Sequence, residues 1–393
     1  LRYGIYGGAF DPFHLGHLEV IKGVMVSCRL DRLYVVPTGQ PIFKSERDLT
    51  PSVYRFYMLR SALHDMPNIE VSDIEIRSES KSYALDTINC LIERYNIHKD
   101  SKIFWICGAD ILYEFERWYK PEEIARKVSL LVSARPGTSV DADSKKAQEI
   151  RNRYAMDVQI LTLNTPDVSS TFIRKTRDFS MVPNAVRRFI SINDLYSEDW
   201  PIHAITDEAY SEFMSALRLL FVDLSEKRLI HSMNTAILSA KYALRFGYSP
   251  EKALIAGLLH DCAKEIPLKQ MTRMASDIID DIWPTEMLHG PAGVVYARDR
   301  YEIEDSDILD AICYHTTGRP NMSGIEKVVY LADKLEPARQ YDDLEPIREM
   351  VKTDLERALV VCFHAVKESL ARKGREMHPL SIEALCELEQ YSV

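Results

Sequence analysis

The chain has 393 residues, 46% hydrophobic and 27% charged, with only 15 glycines and 18 prolines. That length accommodates two or three domains of about 100–200 residues without help from disulfides, and the composition excludes collagen-like, low-complexity and disordered classes. The 49 basic and 59 acidic residues leave a net charge of −10, which argues against long nucleic acid as a partner. No apolar run approaches the ~18–20 residues of a membrane-spanning helix.

Short apolar runs at 3–6, 33–36, 103–106, 128–133 and 158–163 read as buried strands. Helical periodicity lies between them, near 17–27, 51–65, 83–95 and 110–126. This alternation predicts an α/β, Rossmann-like, doubly wound parallel sheet that binds ligands at the carboxyl ends of its strands. The segment 197–206, containing Pro201, reads as a linker between domains at 1–196 and 207–393. Beyond it the strand signal stops. Helices are expected at 211–246, 250–260, 303–314, 324–335 and 355–372, with Gly290-Pro291 among the breaks, so this half is an all-α bundle. The seven cysteines are scattered and form no C-x-x-C pair, which suggests reduced thiols in a cytoplasmic protein. The numbering opens directly on an apolar strand, so no charged leader is expected within it.

Directly after the first strand comes Gly7-Gly8-Ala9-Phe10-Asp11-Pro12-Phe13-His14-Leu15-Gly16-His17. Paired glycines permit a sharp turn and close approach to a ligand. Histidines three apart share one face at the positive end of the next helix. Such a turn suits a polyphosphate. Ser169-Ser170-Thr171-Phe172-Ile173-Arg174 opens a later helix, with Arg174 on the face of Ser170.

These two strings resemble the H-x-G-H nucleotidyltransferase superfamily, and within it the bacterial nicotinate-nucleotide adenylyltransferases. Further support comes from the loop from Pro37 to Lys44, from Ser82-Tyr83-Ala84-Leu85-Asp86-Thr87, from Gly108-Ala109-Asp110 with Trp118, and from Val182-Pro183. The resemblance implies transfer of AMP from ATP, with Mg²⁺, to nicotinate mononucleotide. It assigns His14, His17, Lys44 and Arg174 to the phosphates and the charge of the transition state. Gly7, Gly8, Phe10, Gly108, Asp110, Ser169, Ser170 and Thr171 would line the nucleotide site. Trp118 would stack on the nicotinate ring, and Thr87 would contact that ring or its carboxylate. Ala9 replaces the family's usual Thr, and Ile42-Phe43 its Pro-His. A different acceptor such as phosphopantetheine stays open, as does nicotinamide in place of nicotinate.

In the second half His231, His260, Asp261, His289, His315 and Asp333 fall at the ends or faces of expected helices. The His260-Asp261 pair closes a very apolar helix, where an unpaired charge is costly, and imidazole with carboxylate suits Fe, Mn, Zn or Ni. The constellation resembles the HD-domain phosphohydrolases and, more closely, the bacterial symmetrical diadenosine tetraphosphate hydrolases. Lys334 and Ala338 depart from that branch. The resemblance implies two divalent metals, iron foremost, held by these six residues with Asp261 bridging. Diadenosine tetraphosphate would be cut to two ADP, with Lys264, Arg319 and Arg339 as candidate phosphate contacts, although Arg339 reads more simply as surface charge. A nucleotide-sensing role, or another phosphate ester as substrate, stays open, and so does homo-oligomerisation.

Overall fold

The structure is a computed structural model that describes residues 1–41, 46–78, 81, 83–134, 140–281, 283–339 and 344–391. Two compact units divide the chain, Leu1–Ser191 and Ile192–Val393.

The first unit runs β1 (Arg2–Gly8), α1 (Leu15–Ser27), β2 (Arg32–Pro37), α2 (Ser52–Leu63), β3 (Ile69–Val71), α3 (Ala84–Arg94), β4 (Lys102–Gly108), α4 (Asp110–Glu114), α5 (Pro121–Lys127), β5 (Ser129–Ala134), α6 (Val140–Tyr154), β6 (Val158–Thr162), α7 (Ser170–Thr176) and α8 (Asn184–Ile192). All strand pairs are parallel, in the order β3-β2-β1-β4-β5-β6. Helices cover the sheet, so Leu33–Val36, Phe104–Ile106 and Leu130–Val132 are buried in unbroken runs, the pattern of strands with two covered faces. The strand order reverses between β1 and β4. A crevice therefore opens beyond their carboxyl ends, where Gly7, Gly8 and Gly108 lie.

The five expected strands form. The sixth, β3, has three residues at the sheet edge, all only partly buried, and carries too little hydrophobic pattern to register. The expected helix at 110–126 is broken by a 3₁₀ turn at Phe115–Arg117, and Lys120 takes φ 52° just before Pro121. Proline lacks the N–H that a continuous helix requires.

The second unit contains α9 (Asp207–Asp223), α10 (Glu226–Phe246), α11 (Pro250–Leu259), α12 (Leu268–Ser276), α13 (His289–Tyr301), α14 (Ser306–Tyr314), α15 (Gly324–Leu335), α16 (Leu344–Met350), α17 (Leu355–Arg372) and α18 (Pro379–Tyr391). No strand occurs among its described residues. The central helix α10 packs along α11 and α15, while α14 packs on α13, α15 and α11.

Three sequence expectations change here. The single helix at 211–246 is two, because Glu265 takes both the N–H and the hydroxyl of Ser225, at 2.6 and 2.5 Å, and turns the chain. Gly290-Pro291 begins α13 rather than interrupting a helix, since a first-turn proline loses no intrahelical bond. A Cβ at Gly290 would lie 2.4 Å from the Cys313 carbonyl oxygen, so glycine lets α13 meet α14. The segment 197–206 is not an exposed linker: Trp200, Pro201, Ile202 and Ile205 are buried, and the turn Pro201–Ala204 packs on α10. No helix among the described residues is long and apolar enough to cross a membrane.

Candidate active sites

At the β1/β4 crevice a cavity of about 880 Å³ is lined by Gly7, Gly8, Phe10, His14, His17, Gly108, Asp110 and Trp118, among others. His14 caps α1, and the two imidazoles stack 3.7 Å apart between centroids. The His14 backbone N–H donates to His17 Nδ1 at 3.3 Å. The neutral His17 ring must therefore carry its proton on Nε2, as a donor. Phe10 is buried, and its ring packs edge-on against both Tyr6 and His17. Trp118 lies edge-on to Trp105, with centroids 5.6 Å apart.

Around this cavity several of the assigned residues make protein contacts that the sequence did not show. Thr87 is buried and does not line the cavity; its hydroxyl donates to Glu75 Oε1 at 2.6 Å, and Glu75 lines the wall in its place. Arg174 donates to the Asp11 carbonyl and lies 3.8 Å from the Asp11 carboxylate, so it braces the glycine turn from behind. Ser170 does the same through the Pro12 carbonyl at 2.9 Å, Ser169 caps α7 through the Phe172 N–H, and Thr171 is exposed. Ser169, Ser170 and Arg174 thus have local hydrogen-bond partners that the motif alone could not display. Lys44 and Ser82 lie outside the described residues.

In the second unit all six singled-out residues converge, none more than 9% exposed. His231, His260 and Asp261 form one group, and Asp261, His289 and His315 a second, each compact enough to hold a metal ion. The Asp261 carboxylate faces both ways. Its Oδ2 is 3.6 Å from His260 Nε2 and 3.9 Å from His231 Nε2; its Oδ1 is 3.2 Å from His289 Nε2 and 3.6 Å from His315 Nε2. Asp333 joins the first group, 3.0 Å from His231 Nε2 and 3.7 Å from His260 Nε2.

The ring orientations fit a cation. His260 Nδ1 donates to the Gly257 carbonyl and His315 Nδ1 to the Ile312 carbonyl, both at 2.7 Å. A carbonyl only accepts, so each Nδ1 carries the proton of the neutral tautomer, which turns a bare Nε2 lone pair to the cluster. There His260 Nε2 lies 3.2 Å from His231 Nε2, and His315 Nε2 lies 3.1 Å from His289 Nε2. Converging lone pairs beside carboxylates are what a divalent metal satisfies. Burial pushes His260 down to about 3 and His289 down to about 4, leaving both neutral, the ligating form. Burial also opposes charge on His231, but its bonds with Asp333 and Glu336 outweigh burial and lift it to about 9.

The comparisons with known proteins follow the same division. A cytidylyltransferase-like family model matches residues 5–176 and an HD domain model matches 228–338. A Clostridium botulinum protein named probable nicotinate-nucleotide adenylyltransferase is 33% identical over 203 residues, 50% of this chain and 99% of its own length. The chain belongs to the nicotinate-nucleotide adenylyltransferase family and carries an HD hydrolase domain behind it. A Mycoplasma pneumoniae protein named probable nicotinate-nucleotide adenylyltransferase/Ap4A hydrolase is 25% identical over 370 residues, 92% of this chain and 98% of its own length. A crystal structure of a predicted HD superfamily hydrolase involved in NAD metabolism, from Clostridium acetobutylicum, is 35% identical and covers 45% of this chain and 96% of its own, with a TM-score of 0.43.

Within the HD domain, sequence reasoning missed two neighbours of the cluster, and two candidate arginines have carboxylate partners it did not show. Glu336 accepts from His231 Nδ1 at 3.2 Å, and is itself held by Asn234 Nδ2 and the Ala338 N–H. Arg228, one turn before His231, donates to Asp261 Oδ2 at 2.6 Å. Arg339 is no surface charge, since it donates to Asp333 Oδ1 at 2.9 Å. Glu326 and Asp310 hold the Arg319 guanidinium at 2.7 Å each, over the Tyr314 ring. Lys264 does reach the cluster, its Nζ 3.0 Å from His289. The spacing of Arg228 and His231 on one helix face was a readable signal; Glu336 had none beyond a buried acid after Asp333.

Proposed function

We propose that the first unit transfers the adenylyl group of ATP, bound with Mg²⁺, to nicotinate mononucleotide, and that the second hydrolyses diadenosine tetraphosphate to two ADP at a dinuclear metal site. The arrangement supporting the transferase is the glycine turn and stacked histidines at the sheet's reversal point. The mononucleotide 5′-phosphate attacks the α-phosphorus of ATP in line and pyrophosphate leaves; positioning and charge supply the rate. The α1 N-terminus and the Nε2–H of His17 face the triphosphate, with His14 beside it and Lys44 assigned to the phosphates. Arg174 and Ser170 act through the turn they brace. Trp118 offers its face to the nicotinate ring, and Thr87 acts through Glu75.

For the hydrolase the carrying observation is the two-faced Asp261 carboxylate between two imidazole pairs. His231, His260, Asp261 and Asp333 would hold one metal, and His289, His315 and Asp261 the other. Bound divalent ions, iron in this reading, polarise a phosphoryl group and acidify water. Glu336 orients His231, while Arg228, Lys264 and Arg339 line the edge with positive charge for the remaining phosphates. The Mycoplasma relative, whose name joins both activities over nearly the same length, supports the pairing. The seven cysteines are free thiols, which fits a cytoplasmic enzyme.

Chromatography of nucleotide products tests both halves in one preparation. ATP with nicotinate mononucleotide is expected to give nicotinate adenine dinucleotide and pyrophosphate. Diadenosine tetraphosphate with Fe²⁺ or Mn²⁺ is expected to give ADP alone. AMP with ATP would replace the symmetrical cut by an asymmetrical one, and no turnover with a loaded site would turn the HD domain into a sensor.

A further inference from the structure

Beneath the transferase cavity lies a charged side chain that no motif singled out. Arg55, on α2, is the largest of the fully buried side chains among the described residues and is only 1% exposed. Its guanidinium reaches three carbonyls on two connections, one after β1 and two between β2 and α2. Nη1 donates to Ala9 at 2.8 Å, Nη2 to Thr38 at 2.6 Å and Nε to Thr50 at 2.7 Å. Ala9 belongs to the glycine turn, and Thr38 follows β2; both line the cavity.

The Thr38-Gly39 segment is gripped from other sides as well. The Thr38 N–H donates to the Gly8 carbonyl at 2.9 Å, and the Gly39 N–H donates to Glu75 Oε2 at 3.1 Å. A Cβ on Gly39 would sit 2.2 Å from the Glu75 carbonyl oxygen, so the two backbones are in direct contact. Glu75 in turn accepts the Thr87 hydroxyl, which ties α3 into the same assembly.

Resting on the transferase reading above, we propose that Arg55 is a positioning residue for adenylyl transfer, with Glu75 as its counterpart across Thr38-Gly39. Arg55 sets the spacing between the turn that faces the phosphates and the segment that forms another part of the cavity wall. A planar fork meets three carbonyls in three directions, whereas a lysine ammonium offers its donors from one point on a shorter reach. In-line transfer between two bound nucleotides depends steeply on that spacing, while each nucleotide keeps its own contacts for binding. The loss of Arg55 therefore falls on kcat more than on KM.

The test compares Arg55→Lys and Glu75→Gln with Ile88→Val, a core change in the same unit, in steady-state adenylyl transfer by the full chain. Assays run well below each melting temperature. Arg55→Lys is expected to lower kcat about ten- to a hundredfold with KM for ATP within about threefold; Glu75→Gln shows the same pattern more weakly, and Ile88→Val leaves kcat unchanged. Near-native kcat in Arg55→Lys, or a change confined to KM, would overturn the proposal. So would a kcat loss matched by Ile88→Val at equal melting temperature. Should Arg55→Lys not fold, Glu75→Gln decides alone: unchanged kcat rejects the clamp. Absence of transfer by the unmodified chain would instead reject the transferase reading and is scored first.

Discussion

The two candidate sites are built from different materials. The first is made largely of main chain and loops: glycines at the ends of β1 and β4, a capped helix start, and a cavity of about 880 Å³ wide enough for nucleotides. The second is made of side chains, six buried histidines and aspartates drawn from the ends and faces of α10, α11, α13, α14 and α15, each held by a hydrogen bond or ion pair. A site that admits whole nucleotides needs room, which strand ends and glycines leave. A site for compact cations needs convergent donors at fixed distances, which packed helices supply.

That contrast breaks most sharply by single-residue loss. Asp261→Ala removes the carboxylate shared by both groups and is expected to abolish polyphosphate hydrolysis and strip bound metal while leaving adenylyl transfer intact. His17→Ala should do the reverse, lowering transfer roughly 10²–10³-fold, the scale of losing one preorganised donor. Product chromatography and metal analysis on both variants settle it; a transferase altered by Asp261→Ala would make the HD domain a regulator instead.

A smaller effect sharpens the claim that helix packing sets the second site. Gly290→Ala forces α13 away from the Cys313 carbonyl and so shifts His289 relative to His315. A stability loss of about 1–3 kcal/mol is expected in urea unfolding, together with weaker metal retention. Unchanged metal retention despite lower stability would show that the cluster tolerates such a shift.

Smallest of all is a surface-side effect in the first unit. Asp73 is disfavoured as an anion by burial, but Arg77 and Arg94, at 2.6 and 2.5 Å, hold its carboxyl below the usual carboxylate value. A lowered folded-state pKa contributes stability above the unfolded value near 3.8, and that contribution is lost as pH falls through the folded one. Asp73→Asn should cost about 1 kcal/mol or less at neutral pH, because both arginines are solvent-screened, and the difference from the unmodified chain should shrink as pH falls from 3.8 through the lowered folded value. Melting curves from pH 2 to 7 read this directly, and a difference that does not shrink as pH falls would assign the effect to packing.

Local pattern made much of this protein legible. Unbroken apolar runs between helical periods spelled a covered parallel sheet, the Gly7-Gly8 turn before two histidines marked its ligand end, and His260-Asp261 stood out against the apolar residues 253–259. Each of these signals lies within about a dozen residues, where backbone geometry and hydrophobic period operate. Tertiary structure alone decided the rest. The edge strand β3 forms because β2 is there to pair with it. Glu265 splits α9 from α10 across 40 residues, and Arg319 pairs with Glu326 of α15 and Asp310 of α14. Arg55 and Glu75 looked like one more arginine and one more glutamate. Their partners are Ala9 after β1, Thr38, Gly39 and Thr50 between β2 and α2, and Thr87 in α3, and only folding brings those carbonyls, that N–H group and that hydroxyl within hydrogen-bonding distance.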